Sequence, residues 1–212
     1  MRINGCEIIR RGARSAKKIA FTFDDGPHPD YSLKIADIIE KNNGRATFFA
    51  TGENLRKHPE TARELINRGH MLGNHSFGHR HSLFAKRAAL FDSINETKCI
   101  IEDITGEPNT IFRPPYGFIT PAVLSICRDL ELSIVLWTSN SKDYKIKSAE
   151  RIVKKVSSGI LPGAIILFHD CKFSDDSINY DYGRTALKML MGDVIFKGLT
   201  MTTVAQLIES ER

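Results

Sequence analysis

The chain has 212 residues, of which 42% are hydrophobic and 26% charged, and its formal net charge is +5 at pH 7. This composition excludes a disordered protein, and the length favours one large domain or two small ones. No apolar run approaches the ~20 residues of a membrane helix, so we expect no integral membrane segment. The excess of positive charge is small and forms no long basic block, so we expect no nucleic-acid partner.

Residues 1–17 are polar and lack the apolar core of a secretory signal. We interpret them as a short N-terminal extension before a single domain at 18–212, and we expect a cytoplasmic protein unless a signal was removed. The four cysteines form no CxxC pair, which fits a reducing compartment. Cys99 and Cys127 fall in apolar-periodic segments and are expected to be buried. The oligomeric state stays open, and a monomer is compatible with the sequence.

Apolar runs of strand length alternate with amphipathic helical segments along the chain. Nearly continuous apolar strands separated by helices indicate a parallel sheet that is buried on both faces. Seven such units predict an incomplete (β/α) barrel in an α/β fold, with an open doubly wound sheet as the alternative. The predicted strands are 19–23, 46–51, 70–74, 110–113, 133–137, 164–169 and 199–203, and the predicted helices are 32–41, 59–68, 86–105, 121–130, 148–157 and 182–192.

Polar residues gather where the predicted strands end. The carboxyl ends of parallel strands share one edge of the sheet, and sites are built at that edge. We therefore expect these side chains to form one site. They are Asp24 and Asp25 after the first strand, His75 and His79 after the third, Arg113 at the end of the fourth, Asp143 beyond the fifth and His169 at the end of the sixth.

The two histidines suggest metal chemistry. His75 and His79 have the i, i+4 spacing that places two side chains on one face of a helical turn, close enough to hold one ion. Asp24 and Asp25 point to opposite sides if the strand continues through them, so they would have different roles, although Asp-Gly-Pro also favours a simple turn. Two histidines and one carboxylate leave open positions for water and substrate, and both zinc and non-haem iron accept such ligands.

Two further residues have alternative interpretations. His169 ends a buried strand, where it either makes a hydrogen bond in the core or transfers a proton. Arg113 either anchors a turn or stands beside a carboxylate and lowers its pKa. His70 and His81 lie outside the i, i+4 pair, and we expect them to be structural or exposed.

Taken in order, five segments resemble the NodB-type polysaccharide deacetylases, carbohydrate esterase family 4. The resemblance covers about residues 18–207 and implies the distorted (β/α)7-type barrel of the NodB homology domain. It also implies a metal-dependent hydrolase that removes acetyl groups, usually N-acetyl groups of sugars. The segments are TFDDGP at 22–27, ATFF at 46–49, GNHSFGH at 73–79, RPPYG at 113–117 and LFHD at 167–170.

The resemblance implies a role for each matching residue. The metal would be Zn²⁺, with Co²⁺ or Ni²⁺ able to substitute, and the substrate an N-acetylated saccharide such as a chitooligosaccharide or peptidoglycan. By motif position, Asp25, His75 and His79 are expected to bind the metal, Asp24 to act as general base with Arg113 as its tuning partner, His169 to act as general acid charged by Asp143, and Tyr116 to offer its backbone N–H to the oxyanion.

The apolar wall around the acetyl group is expected to differ from that of the family. The family motif that usually reads Asp-Trp is Asp143-Tyr144 here, a change that we expect to affect substrate fit more than chemistry. The expected substrate contacts are Pro115, Tyr116, Leu167, Trp137 and Tyr144. Alternatives are the same site acting on another acyl group, an O-acetyl ester or a ring amide, and an inactive carbohydrate-binding relative. A redox enzyme with non-haem iron is the alternative that the sequence favours least.

Overall fold

The computed structural model describes residues 1–173 and 180–209, and within them helices follow most strands. The strands are β1 (Arg2–Ile3), β2 (Cys6–Ile9), β3 (Lys18–Asp25), β4 (Thr47–Ala50), β5 (Met71–Asn74), β6 (Ile111–Phe112), β7 (Ser133–Val135), β8 (Ser139–Asn140), β9 (Ile165–His169) and β10 (Thr200–Met201). The helices are α1 (Tyr31–Glu40), α2 (Gly52–Lys57), α3 (Pro59–Asn67), α4 (Arg87–Thr105), α5 (Pro121–Asp129), α6 (Ala149–Val156), α7 (Asp181–Phe196) and α8 (Val204–Glu209).

The strands form one curled sheet. Its order is β1-β2-β7-β6-β5-β4-β3-β9-β8, and every pair from β2 to β8 is parallel. β1 pairs with β2 in the antiparallel direction, and β10 joins the start of β3. Within the described residues the edges β1 and β8 do not pair with each other, so the barrel stays open. The predicted incomplete barrel is confirmed.

Alternate residues of the strands fill two different cores. Ala20, Phe49, Val135 and Ile165 point into the barrel and pack with Leu207 of α8, which covers its lower end. The residues between them point outward and pack against the surrounding helices, for example Phe21 and Phe23 of β3. This period of two leaves the inward positions near the upper ends of β3 and β9 to polar side chains.

The predicted helices and strands are all present, with boundaries shifted by a few residues. α5 and α6 begin after Thr120 and Ser148, whose side chains accept hydrogen bonds from the first turn, and α4 ends at Gly106 with φ +71°. The sequence did not predict β1, β2, β8, α2 or α8. These elements have two to six residues, too few to establish a hydrophobic period. β1 and β2 lie in the predicted N-terminal extension.

One of the two cysteine predictions is wrong. Cys127 is buried as expected, but Cys99 is exposed. The buried stripe of α4 passes through Leu90, Ile94 and Ile101 and leaves position 99 on the other face. His70 has the structural role that we expected: it accepts from the Ala46 N–H at 3.1 Å and contacts Glu40 at 2.8 Å. No described helix combines the length and apolar character needed to cross a membrane.

Candidate metal and catalytic site

The polar residues from the strand ends meet at one end of the barrel. β3 and β9 pair so that Asp24 stands beside His169, and both side chains face the barrel axis. β4 brings Phe49 to the other side of Asp24, and β6 leads directly into Arg113. The convergence expected from a parallel sheet is therefore present.

Asp25, His75 and His79 form a compact set of possible metal ligands. One ligand atom from each lies within 4.8 Å of the other two. Asp25 Oδ1 is 3.5 Å from His75 Nε2 and 3.3 Å from His79 Nε2, and it is buried without a hydrogen-bond partner. A buried carboxylate oxygen facing two imidazole nitrogens is costly unless a cation or proton lies between them. The donor set fits a divalent metal.

The environment keeps Asp25 ionised and His79 neutral, as metal binding requires. Burial alone would raise the pKa of Asp25, but the neighbouring imidazoles outweigh it and lower this pKa to about 2. Burial, helped by the nearby His75, lowers the pKa of His79 to about 4. His75 Nδ1 is 2.7 Å from the Arg113 carbonyl, which can only accept, so Nδ1 carries a proton and Nε2 is the nitrogen that faces Asp25.

The local structure that carries the two histidines differs from the prediction. Residues 75–79 form a loop, not a helical turn, and Ser76 and His79 have φ values of +64° and +49°. The loop is held because the first backbone N–H groups of α2, from Gly52 and Glu53, donate to its carbonyls. The imidazoles of His75 and His79 still approach to 5.0 Å between ring centroids. The two imidazoles are therefore close together, as the i, i+4 spacing predicted, but the loop conformation brings them together and not a helical turn.

Arg113 is the largest fully buried polar side chain and it orients Asp24. Its Nη1 donates to Asp24 Oδ1 at 2.6 Å and to Thr22 Oγ1 at 2.9 Å. Its Nε and Nη2 donate to the backbone carbonyls of Val135 and Leu136. The guanidinium carbon lies 3.9 Å from the Phe49 ring centroid. This fixed position leaves Asp24 Oδ2 facing His75 Nε2 at 3.8 Å.

His169 stands beside Asp24 at the end of β9 and is held by Asp143. Asp143 Oδ1 is 2.8 Å from His169 Nδ1, and Oδ2 accepts from the His169 backbone N–H at 2.9 Å. Ser141 Oγ and the Tyr144 N–H also donate to Asp143 Oδ1. Burial opposes the charged imidazolium, but the charge of Asp143 and two further carboxylates outweighs it and raises the pKa of His169 to about 9. The ring is therefore a cation near neutral pH.

Most of the expected substrate contacts line one cleft of about 750 Å³. Tyr116, Trp137, Tyr144 and Leu167 all border it together with Asp24 and the three possible ligands. Pro115 is buried and lies outside the cleft wall. Arg113 and Asp143 stand behind the wall, where they contact Asp24 and His169. The cleft is also lined by residues without a predicted role, which are Gly117, Asn140, Lys172, Phe173 and Tyr180.

The backbone at Tyr116 has an unusual conformation. Tyr116 and Gly117 have φ values of +60° and +72°, and Gly117 packs so closely on Trp137 that an added Cβ would lie 2.7 Å from its ring. Among the described residues the Tyr116 N–H has no acceptor, whereas the Gly117 N–H donates to the Pro114 carbonyl. A backbone donor without a protein partner at the cleft wall suits a developing oxyanion.

Asp170 is a structural support of the site to which the sequence analysis gave no role. Its buried carboxylate accepts from the Gly26 N–H at 2.8 Å and from Ser32 Oγ at 2.5 Å, which ties the loop after Asp25 to the end of β9. Burial is the main cause that raises the pKa of Asp170 to about 7. A Cβ on Gly26 would lie 2.0 Å from Asp170 Oδ2, so the contact requires glycine. The HD pair at 169–170 in the sequence was the available signal.

Comparison with known proteins places this geometry in a family. The family model for polysaccharide deacetylase matches residues 11–135. A curated relative from Bacillus subtilis, named peptidoglycan-N-acetylmuramic acid deacetylase PdaC, is 33% identical over 196 residues, which is 92% of this chain and 40% of that protein. The chain thus spans less than half of this relative's length.

Solved structures share the fold. The Bc1960 peptidoglycan N-acetylglucosamine deacetylase superposes with a TM-score of 0.87 at 29% identity, covering 96% of this chain and 94% of that one. A mutant of a CE4-family pseudoenzyme, with restored enzymatic activity, superposes with a TM-score of 0.84 at 25% identity over 97% of this chain and 72% of that one. The expected family is confirmed: the chain belongs to the polysaccharide deacetylases.

Proposed function

We propose that this protein is a metal-dependent hydrolase that removes N-acetyl groups from N-acetylglucosamine-containing saccharides and releases acetate. The relatives named above act on peptidoglycan sugars according to their names, which supports this substrate class. Fold likeness alone would not carry activity, because one structural neighbour is a pseudoenzyme. The proposal therefore rests on the site residues.

The observation that carries the proposal is the unpaired Asp25 Oδ1 between two imidazole nitrogens. We propose Zn²⁺ as the metal, held by Asp25, His75 and His79, because this ligand set with open positions suits zinc hydrolases. Cobalt or nickel would substitute. When bound there, the metal supplies Lewis-acid chemistry that polarises the acetyl carbonyl and acidifies water.

The remaining residues divide the proton transfers between Asp24 and His169. Asp24, held through Oδ1 by Arg113, takes the proton of the attacking water with its other oxygen. The Tyr116 N–H donates to the oxyanion of the tetrahedral intermediate, a contact worth ~3–4 kcal/mol of barrier. Leu167 borders the cleft beside His169 and would receive the acetyl methyl group.

His169 completes the reaction by protonating the leaving amine. An amine leaves poorly as an anion, so a donor on its side of the bond is required. The pKa of His169 is raised to about 9, with the carboxylate of Asp143 as the main cause against burial, so the ring carries its proton at neutral pH. Asp24 and His169 are side by side in the β3–β9 register and can act in the same turnover.

The direct test is acetate release from N-acetylglucosamine oligomers by metal-stripped protein, with and without added Zn²⁺. We expect release only with zinc. No release by folded protein with one bound zinc would contradict the proposal. Formylated and O-acetylated saccharides in the same assay would then identify another acyl group.

A further inference from the structure

The backbone segments that carry the possible metal ligands both bond to one short stretch of chain. This stretch, residues 51–54, consists of the N-cap and the first turn of α2, and we call it the α2 turn. Asp25 is the last residue of β3, and the loop after β5 carries His75 and His79. The α2 turn makes hydrogen bonds to the backbone on both sides, so it connects the carboxylate ligand to the imidazole ligands.

On the first side, the α2 turn holds the backbone carbonyl of Asp25. Asn54 Nδ2 donates to this carbonyl at 2.8 Å, and Thr51 Oγ1 donates to it at 3.1 Å. The Thr51 N–H donates to the next carbonyl, that of Gly26, at 3.0 Å. Thr51 and Asn54 are both buried, so water does not compete for these bonds. Two successive carbonyls at the end of β3 are therefore fixed by the same turn.

The backbone of Asp25 requires such support. Its φ value is +86°, in the left-handed region that residues with a Cβ rarely adopt. A residue keeps this conformation only where its surroundings impose it. The direction of the Asp25 side chain depends on this backbone conformation. The bonds to the Asp25 carbonyl thus also determine where Oδ1 lies relative to His75 and His79.

On the second side, the α2 turn holds the loop of the two histidines. The Gly52 N–H donates to the Ser76 carbonyl at 3.0 Å, and the Glu53 N–H donates to the Phe77 carbonyl at 3.1 Å. Ser76 directly follows His75 and has a φ value of +64°. A Cβ on Gly52 would lie 2.4 Å from the Phe77 ring, so the loop packs directly on the turn. Four consecutive residues therefore set the separation between the two groups of ligands.

We propose that the α2 turn holds the three metal ligands at their binding distance, and that Asn54 and Thr51 are positioning residues that act through the Asp25 carbonyl. Both side chains stand outside the reaction cleft, so they affect the metal only through Asp25. This inference rests on the proposed function, because it concerns the metal of the same site. Residues that orient metal ligands in this way change metal affinity by about 10- to 100-fold when they are replaced.

The first test is the zinc affinity of the metal-stripped full chain, measured by competition with a chromophoric chelator. Asn54→Leu keeps the approximate size of the side chain and removes the donor, so we expect zinc affinity to fall about tenfold or more. Asn42→Leu is the matched control. Asn42 Nδ2 also donates to a backbone carbonyl at 2.8 Å, that of Ile38 in α1, which carries no ligand. This variant should lose thermal stability and keep its zinc affinity.

A second pair of variants separates positioning from stability. Thr51 Oγ1 also caps α2 by accepting from the Asn54 N–H at 3.4 Å, so Thr51→Val should lower Tm as well as zinc affinity. Thr51→Ser keeps a hydroxyl that can make both bonds, and its zinc affinity should stay within about twofold of that of the unaltered protein. KM for the saccharide should change little in any folded variant at saturating zinc, because neither residue lines the reaction cleft.

The outcomes for this proposal and for the proposed reaction are distinct. Unchanged zinc affinity in folded Asn54→Leu and Thr51→Val would overturn the positioning role alone, and so would an equal loss of affinity in Asn42→Leu. Weakened zinc binding in these variants without acetate release by the unaltered protein would contradict only the deacetylation. An unaltered protein that binds no zinc would contradict the metal site, and the positioning role with it.

Discussion

Two clefts that share Tyr116 are built in different ways: the reaction cleft, which Asp24, Asp25 and His169 line, and a second cleft, which is lined by residues that include Arg80, His81, Phe84 and Lys86. In the reaction cleft the working side chains are buried and each is fixed by several contacts; Arg113 alone makes four hydrogen bonds and stacks on Phe49. In the second cleft the rings and cations stand at the surface, and Phe84 is 88% exposed. Preorganised, buried groups suit bond-breaking chemistry, whereas exposed groups suit selection of the substrate.

This difference follows from where the residues stand in the chain. Asp24 and His169 end adjacent strands, whose pairing fixes their separation before any ligand arrives. Arg80 and Phe84 belong to the segment between β5 and α4, which no strand pairing constrains. Substitutions in the reaction cleft should therefore change the rate or metal binding.

The largest effect should come from Asp24→Asn. The amide keeps the size of the side chain and can still accept from Arg113, but it cannot take a proton from water. We expect kcat for acetate release to fall about 10³-fold while zinc stays bound. Asp30→Asn is the matched control, because Asp30 is an exposed carboxylate outside both clefts, and it should keep its rate. Activity that survives in Asp24→Asn would remove Asp24 as the base.

A pair of histidine variants tests the boundary between the clefts. His79 and His81 both contact the Tyr116 ring, but only His79 faces Asp25 Oδ1. His79→Ala should weaken zinc affinity more than about 100-fold, since it removes a ligand, and His81→Ala should change it by less than about threefold. Competition with a chromophoric chelator measures both affinities. Similar affinities in the two variants would take His79 out of the ligand set.

The reaction cleft was predictable because its residues end apolar strands. The runs before Asp24 and His169 indicated buried parallel strands, and parallel strands bring their carboxyl ends together. The support by Asp170 was only partly predictable: its place next to His169 was visible in the sequence, but the contact between residues 26 and 170 is encoded by no local pattern. The His75–His79 spacing indicated proximity correctly but suggested a helical turn where a loop is pinned by α2.

The second cleft had no signal in the sequence. His81 was expected to be structural or exposed because its spacing from His75 and His79 matches no ligand pattern. Its stacking on Tyr116 joins residues 35 positions apart in two loops, a tertiary contact without a period. The short elements β2 and α8 were missed for a similar reason, although Leu207 of α8 covers the lower end of the barrel.

The smallest of the three effects concerns pH. The raised pKa of His169, about 9, means that the folded protein holds this proton up to that pH, with burial opposing and Asp143 providing the main support. Its contribution to stability is complete below the ordinary pKa near 6.5 and is lost as the pH rises through about 9. Deacetylation that needs the proton of His169 should likewise fall as the pH rises through about 9.

Asp143→Asn should move that fall to lower pH. Burial of His169 remains while the charge that opposed it is gone, so the pKa of the ring drops. We expect the alkaline limb of the kcat profile to shift down by at least about one pH unit, with a loss of about tenfold near pH 8 that shrinks as the pH is lowered. Ser141→Ala is the control, because it removes one donor to Asp143 and keeps the carboxylate. An unchanged alkaline limb in Asp143→Asn would mean that a group other than His169 protonates the leaving amine. The proposed division of the two proton transfers between Asp24 and His169 would then be wrong.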